Sequence, residues 1–270
     1  MEISFLNVFP FIVIGAAVGF MAGFLGVGGG IIMIPLLYFW AFPAMHISPE
    51  VIVHLSFGTS LAIIIPTSLS SAWAHAKAGR VTWRVVFLLA IPGILGSFLG
   101  STLAAHLKGP LLRTLFGSLL IILSAQMFLQ KKVPEESGSH PFPGSYNTLI
   151  IGFAVGVFSG VFGLGGGVIA IPLMIRFLDI PIHRAVAISI SFVFFTSLVG
   201  TAGYVINGWG KPHLPPFTLG YVHSLGWVLA GIPSILFAQW GAKLARQTQP
   251  LRLRRAFSLL LMVVGICMLF

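Results

Sequence analysis

The chain has 270 residues, of which 57% are hydrophobic and only 7% are charged, and its mean hydropathy is +1.03. Because soluble domains carry about 25% charged residues, this composition excludes an ordinary water-soluble protein. The net charge of +10 would favour nucleic-acid binding in a soluble protein. Here, however, Lys and Arg lie in short loops beside apolar segments, as in the cytoplasmic loops of membrane proteins. We therefore expect a multi-pass protein of the cell membrane, without a nucleic-acid partner.

The beginning and the cysteine content of the chain also bear on its class. The chain starts Met1-Glu2 without a basic segment, which favours a retained first span over a cleaved signal peptide. The sole cysteine, Cys267, excludes an internal disulfide and a CxxC metal or redox site. No HxxxH pair recurs beside acids or cysteine, so we expect neither a metal site nor a cofactor.

Apolar segments long enough to cross about 30 Å of hydrocarbon recur along the chain. In the first half they lie near residues 8–40, 48–76, 83–106 and 111–130. In the second half they lie near residues 147–176, 183–206, 220–245 and 252–270. Between the two halves, residues 131–146 include Lys, Glu, Gly, Pro and Ser, which are typical of a solvated loop. We predict an all-α integral membrane protein with a first transmembrane repeat at 1–130, a polar linker at 131–146 and a second transmembrane repeat at 147–270.

The two halves are related in sequence. Residues 15–37 read GAAVGFMAGFLGVGGGIIMIPLL, residues 152–174 read GFAVGVFSGVFGLGGGVIAIPLM, and 13 of the 23 positions are identical. Weaker matches continue as far as Leu112-Arg113 and Leu253-Arg254. This similarity indicates an internal duplication, with about four main transmembrane segments in each repeat.

Three consecutive glycines interrupt the first segment of each repeat, at Gly28–Gly30 and Gly165–Gly167. Each glycine costs a helix about 1 kcal/mol relative to alanine, and the proline five residues later, Pro35 or Pro172, lacks a backbone donor. We predict a break there, either within one helix or as a hairpin that re-enters the membrane. Because lipid does not tolerate irregular backbone, the break must face protein or a wet cavity.

The glycine-rich segments could also be interpreted as a dinucleotide-binding loop or as helix-packing motifs. A dinucleotide-binding loop needs a preceding strand and an acidic residue about 20 positions later; the first half has neither, and Asp179 comes too early in the second. Glycines spaced by four, Gly15, Gly19 and Gly23, are typical of close helix packing. For the triplets themselves, ligand contact and a purely structural role both remain open.

The distribution of basic residues favours repeats inserted in opposite senses. The loop at 77–84 has three basic residues, whereas its counterpart at 207–219 has only Lys211. The loop at 106–113 has Lys108 and Arg113, whereas its counterpart around 243–255 has five basic residues. Because cytoplasmic loops collect Lys and Arg, we favour an inverted pseudo-two-fold arrangement over a parallel one. Inversion needs an odd number of crossings in each repeat, so the glycine-rich segment must turn back or cross twice.

A helix that restarts after a break presents unpaired N–H groups and its positive end, which suit an anion. Neutral hydroxyls from the following segment can complete such a site, although they can instead bond to carbonyls of their own helices. The candidate substrate-binding residues are Gly28, Gly29, Gly30, Gly165, Gly166, Gly167, Ser56, Thr59, Ser60, Ser189, Ser191, Thr196 and Ser197. No carboxylate lies in the middle of a clear span, so a relay of acids is not expected. His75 and His54 are candidates for proton coupling or for polar helix contacts.

The pattern G-x-x-x-G-x-x-x-G-x-x-G-x-G-G-G-x-x-x-x-P occurs at 15–35 and at 152–172, and a Ser- and Thr-rich segment follows each copy. This doubled motif resembles the sulfite exporter TauE/SafE family of membrane proteins, and the length and hydropathy agree. The resemblance implies a plasma-membrane transporter, often for sulfur-containing anions such as sulfite, sulfoacetate or thiosulfate. Many members have no assigned substrate, so the resemblance does not fix one.

These observations predict a secondary transporter of small anions, related organic acids included, that works by alternating access around the paired glycine breaks. The alternatives are an anion channel and a membrane scaffold or assembly subunit without transport. An enzyme is not expected, because the sequence offers no nucleophile–base pair, metal cluster or paired carboxylates at a plausible depth. The direction of transport, the coupling ion and the oligomeric state remain open.

Overall fold

The computed structural model describes residues 5–25, 29–77, 79, 81–129, 145–245 and 250–269, so most of the predicted linker lies outside the described residues. The first half contains α1 (Phe5–Leu25), α2 (Gly30–Leu36), a π-helical turn (Leu37–Ala41), α3 (Phe42–Ala44), α4 (Ile52–Lys77), α5 (Trp83–His106) and α6 (Gly109–Leu129). The second half contains α7 (Ser145–Phe162), α8 (Gly167–Phe177), α9 (Ile182–Gly208), β1 (Thr218–Leu219), β2 (Val222–His223), α10 (Ser224–Ala245) and α11 (Pro250–Leu269).

The helices are those of a multi-pass membrane protein. Among the described residues, four segments are long and apolar enough to cross a bilayer, at Ile52–Lys77, Trp83–His106, Gly109–Gln126 and Arg184–Gly208. Shorter apolar segments include Phe9–Phe24 and Tyr146–Phe162. Large apolar side chains point outward along α5 and α10, where lipid is the only solvent that matches them; they include Leu95, Leu99, Leu103, Ile232 and Leu236. The predicted all-α class is confirmed, apart from the two-stranded antiparallel hairpin of β1 and β2.

The first predicted segment of each half is broken at its glycines. In the second half α7 ends at Phe162 and α8 begins at Gly167, and in the first half α1 ends at Leu25 and α2 begins at Gly30. The residues before the restarted helices, Gly29 and Gly166, have φ of 71° and 85°, which side chains other than glycine rarely adopt. The prolines do not cause the break, because Pro35 and Pro172 lie inside α2 and α8.

Two helix pairs join the halves, each through glycines spaced by four. Their backbones approach so closely that a Cβ on any of these glycines would overlap a carbonyl oxygen of the facing helix. In α1 the glycines and their partners in α10 are Gly15 with Ala230, Gly19 with Ser234 and Gly23 with Ala238. In α7 the glycines and their partners in α5 are Gly152 with Leu89, Gly156 with Gly93 and Gly160 with Ser97. The close packing predicted for the spaced glycines is therefore present, with a helix of the other half as the partner.

These contacts also give the helix directions. Residue numbers rise together in both glycine pairs, so α1 runs parallel to α10, and α7 runs parallel to α5. Between α4 and α9 the numbers run in opposite directions, because Gly58 faces Tyr204 and Leu61 faces Gly200. The helices α6 and α11 are also antiparallel, since Ser124 meets Ser258 while Gly117 faces Met268.

The chain must turn back after α1. Parallel contacts link α4 to α10, because Thr59 is bonded to His223, the residue just before α10, and Thr67 is bonded to Ser234. Since α1 is also parallel to α10, α1 and α4 run in the same direction. The segment between them, which contains α2 and α3, therefore returns toward the side from which α1 started.

Candidate functional site

The two glycine breaks lie in contact near the middle of the antiparallel pair α4 and α9. A Cβ placed on Gly30 would lie 3.0 Å from Cα of Leu164 and 2.9 Å from Cδ1 of Ile64. A Cβ on Gly165 would lie 2.9 Å from Cγ1 of Val193 and 3.3 Å from Cγ2 of Ile64. Ile64 and Val193 are close to the centres of the 26-residue α4 and the 27-residue α9. The breaks of both halves therefore meet level with the middle of α4 and α9, where the backbone faces protein. We call this level mid-depth.

The second break presents the N-terminus of α8 at this place. The carbonyl of Gly166 accepts first-turn hydrogen bonds from the N–H groups of Ile169 and Ala170, at 3.1 and 2.9 Å. Among the described residues, the N–H groups of Gly167 and Val168 have no hydrogen-bond acceptor. A helix start with free N–H groups carries partial positive charge and suits an anion.

Three predicted hydroxyls donate to carbonyls of the second break. They come from α4 and α9: Ser60 to Gly163 at 3.0 Å, Thr196 to Gly165 at 3.0 Å and Ser189 to Gly167 at 3.4 Å. The hydroxyl of Thr196 is shared with the carbonyl of Val193 in its own helix, at 3.1 Å. These side chains satisfy acceptors that unwinding exposes, which allows irregular backbone to persist inside the membrane. The hydroxyls thus hold the shape of the break in this conformation.

Three other predicted hydroxyls bond within their own helices, four residues back. The donors are Ser56 to Ile52 at 2.7 Å, Ser191 to Ala187 at 2.9 Å and Ser197 to Val193 at 2.7 Å. For them the structure shows the alternative use of a buried hydroxyl. Thr59 instead accepts the backbone N–H of His223 at 2.9 Å. Gly28 lies outside the described residues.

The two candidate coupling histidines lie apart from each other. Nε2 of His54 lies 3.0 Å from the carbonyl oxygen of Leu107 and 3.2 Å from that of Ala104, so His54 fastens α4 to the end of α5. Its ring stacks on Tyr221 with centroids 5.0 Å apart. His75 lies in the last turn of α4, roughly 16 Å along the helix from the level of Ile64 at 1.5 Å per residue.

Two buried polar side chains were not singled out from the sequence: Ser159, beside the second break, and His223, in the β hairpin. Both are fully buried, and among the described residues Oγ of Ser159 and Nε2 of His223 have no hydrogen-bond partner. Nδ1 of His223 accepts the N–H of Gly226 at 2.9 Å, and its ring stacks on Phe11 at 5.5 Å. The sequence offered a signal for Ser159, because the repeat alignment places it opposite Ala22. It offered none for His223, which lies in a loop that is much longer in the second half.

The centre carries no fixed negative charge in the part of the chain that the structure describes. The carboxylates there are Glu50 and Asp179, both close to helix ends, and Glu50 pairs with the exposed His213 at 3.5 Å. The described residues also contain no group of three or more metal-ligating side chains. The arrangement thus offers neutral donors and a helix N-terminus, which suit an anion.

Comparisons with known proteins extend over nearly the whole chain. The family described as Sulfite exporter TauE/SafE matches residues 11–268. A probable membrane transporter protein of Haemophilus influenzae is 28% identical over 95% of this chain and 96% of its own length. A probable membrane transporter protein of Methanocaldococcus jannaschii is 30% identical over 100% and 98%, and the probable membrane transporter protein YunE of Bacillus subtilis is 27% identical over 94% of both chains. The similarity is therefore not confined to the glycine motifs.

Proposed function

We propose a specific transport activity for this chain, which belongs to the sulfite exporter TauE/SafE family. It is a secondary transporter of small anions in the cell membrane, and its substrates are sulfur-containing oxyanions such as sulfite, sulfoacetate or thiosulfate, or related organic acids. The observation that carries the proposal is the meeting of the two glycine breaks at mid-depth, with Gly30 against Leu164. Transporters built from repeats commonly place their substrate between such discontinuous helices.

The chemistry of the centre supports an anion. Among the described residues, the N–H groups of Gly167 and Val168 lack an acceptor at the start of α8, where the helix dipole favours negative charge. Neutral donors and backbone N–H groups can bind an oxyanion without a fixed positive charge, so the bound anion can also leave. The described acids, Glu50 and Asp179, lie at helix ends and do not repel an anion at mid-depth.

The packing of the breaks supports a mechanism of alternating access. Gly30 and Leu164 are in contact, so no solute fits between them in this conformation. Substrate entry therefore requires the α1–α2 unit and the α7–α8 unit to separate. Each unit is fastened to a helix of the opposite half by its spaced glycines, so each can move together with α10 or α5 as a rigid body. Rocking of such units about a central site is the usual transporter motion.

We also propose that the repeats are inverted. The helix α4 runs antiparallel to its sequence counterpart α9, and α6 runs antiparallel to α11, as expected for a pseudo-two-fold axis in the membrane plane. When successive loops are assigned to alternate sides on this basis, Lys108, Arg113 and Lys211 fall on one side. The other eight Lys and Arg residues that the structure describes fall on the other. By the positive-inside rule, the second side is cytoplasmic.

Labelling of single cysteines tests the inversion. In a Cys267→Ser background, Lys77→Cys at the end of α4 and Lys211→Cys after α9 mark the equivalent loops of the two halves. We expect a membrane-impermeant thiol reagent applied to intact cells to label position 211 and not position 77. Equal labelling at both positions from the same side would indicate parallel repeats and would contradict the proposal.

Uptake into proteoliposomes tests the transport function. The purified protein is reconstituted, and uptake of radiolabelled sulfite, sulfoacetate and thiosulfate is compared with uptake by protein-free liposomes. We expect saturable uptake of at least one of these anions. A folded, correctly inserted protein that moves none of them would overturn the proposal and favour a scaffold or assembly subunit. Unitary currents in a planar bilayer would instead identify an anion channel, because a carrier turns over too slowly to produce them.

A further inference from the structure

The hydroxyl of Ser159 is the one buried polar group beside the second break for which the described structure supplies no bond. The side chain is fully buried, and its Oγ has no hydrogen-bond partner. The backbone carbonyl of Ser159 accepts the N–H of Gly163 at 3.0 Å, so this residue forms the last closed turn before the chain unwinds. A serine in a helix usually bonds to the carbonyl four residues back, as Ser191 does, but Ser159 does not.

The position of Ser159 places this hydroxyl at the N-terminus of α8. A Cβ on Gly166, the residue that precedes α8, would lie 3.3 Å from Cβ of Ser159. The next two residues, Gly167 and Val168, carry the N–H groups that lack an acceptor among the described residues. Three donors that lack acceptors among the described residues therefore belong to residues at or beside the N-cap of this 11-residue helix.

Burying an unpaired hydroxyl costs about 1–3 kcal/mol, and native proteins rarely carry that cost without a function. Packing does not explain the serine, since alanine has nearly the same size and occupies the equivalent place in the first half at Ala22. Ala22 has the same geometry, because a Cβ on Gly29 would lie 3.0 Å from its Cβ. The hydroxyl is thus a chemical difference between two otherwise matching breaks.

We propose that Ser159 Oγ and the N–H groups of Gly167 and Val168 form the primary binding site for one oxyanion group of the substrate, a sulfite, sulfonate or similar headgroup. This inference rests on the proposed transport function and specifies its site. The two breaks are then unequal: the second binds the anion, and the first, with alanine at position 22, acts as the movable wall against it. The oxygen atoms of the headgroup accept the three hydrogen bonds that the protein leaves unmade.

The experiment compares Ser159→Ala with Ser101→Ala in the full-length protein. The control removes a hydroxyl that is equally buried but already bonded within its own helix. Equilibrium binding of radiolabelled sulfite and thiosulfate is measured on purified protein, and KM and kcat are measured in proteoliposomes. Because a hydrogen bond to a charged group is worth more than one between neutral groups, we expect Ser159→Ala to raise Kd and KM about tenfold or more, and Ser101→Ala to change them less than about threefold.

Ser159→Cys is the second variant, nearly isosteric with a weaker donor, and should give an intermediate Kd if the hydroxyl binds the anion. Equal Kd and KM for Ser159→Ala and the control would overturn the inference while leaving the transport function intact. A fall in kcat with unchanged KM and Kd would also overturn it, since it would place Ser159 in a conformational step. Failure of the unmodified protein to transport either anion would instead overturn the proposed function itself.

Discussion

Replacing Gly166 by alanine tests whether the left-handed backbone and the tight packing of the second break are needed for stability and transport. Gly166 has φ of 85°, and holding an L-residue in this region costs roughly 1–2 kcal/mol. The new Cβ would also lie 2.8 Å from Cγ1 of Val155 and 3.3 Å from Cβ of Ser159, so those side chains must move. Overpacking of this kind costs about 1–3 kcal/mol. We therefore expect Gly166→Ala to destabilise the protein by roughly 2–5 kcal/mol and to suppress transport.

Gly210→Ala is the matched control for this substitution. Gly210 has φ of 71°, and a Cβ there would meet no atom within 4 Å, so alanine adds the backbone cost of roughly 1–2 kcal/mol without the contacts. The measurements are the unfolding temperature in detergent and the initial rate of anion uptake, normalised to folded protein. We expect Gly210→Ala to lose a little stability and to keep full transport.

The comparison has a clear refuting result. If Gly166→Ala unfolds at the same temperature as Gly210→Ala and transports at the unmodified rate, the tight left-handed geometry of the second break is not needed. The mechanism would then have to rest on another part of the helix bundle. If both variants lose transport equally, backbone strain anywhere in the protein would explain the loss, and the argument for the break would also fail.

Two further predictions concern the packing between the halves. Gly156→Ala should destabilise the protein by about 1–3 kcal/mol, because its Cβ overlaps the backbone of α5. Gly231→Ala, whose Cβ would meet its nearest atom at 3.9 Å, should not lower the unfolding temperature, and equal temperatures for the two variants would contradict the close pairing of α5 and α7. Thr59→Val should cost about 1–3 kcal/mol by leaving the buried N–H of His223 unpaired, whereas Thr114→Val, which removes an exposed hydroxyl bonded within its own helix, should change thermal unfolding little.

The features that the sequence alone could establish depend on local chemistry. Hydropathy placed the segment at 83–106 where α5 lies, and the glycine triplets placed the breaks before Gly30 and Gly167. These features depend on the cost of burying polar backbone in lipid and on the conformational freedom of glycine, and both act within a few residues. The spaced glycines likewise predicted close helix packing, although not the helix that would supply the partner.

The tertiary structure alone decided which groups meet. Ser60 and Ser56 are one turn apart on α4, yet Ser60 reaches the second break and Ser56 bonds to its own helix. Because residues four apart lie on the same face of a helix, the difference depends on which residues of the other half lie beside each turn of α4, and no local pattern encodes that. Ser159 became a candidate only when its hydroxyl was found buried, unbonded and beside the start of α8. Composition and the glycine triplets therefore determined that this chain spans a membrane and where its helices break. Long-range packing determined where the two breaks meet and which donors lack an acceptor among the described residues.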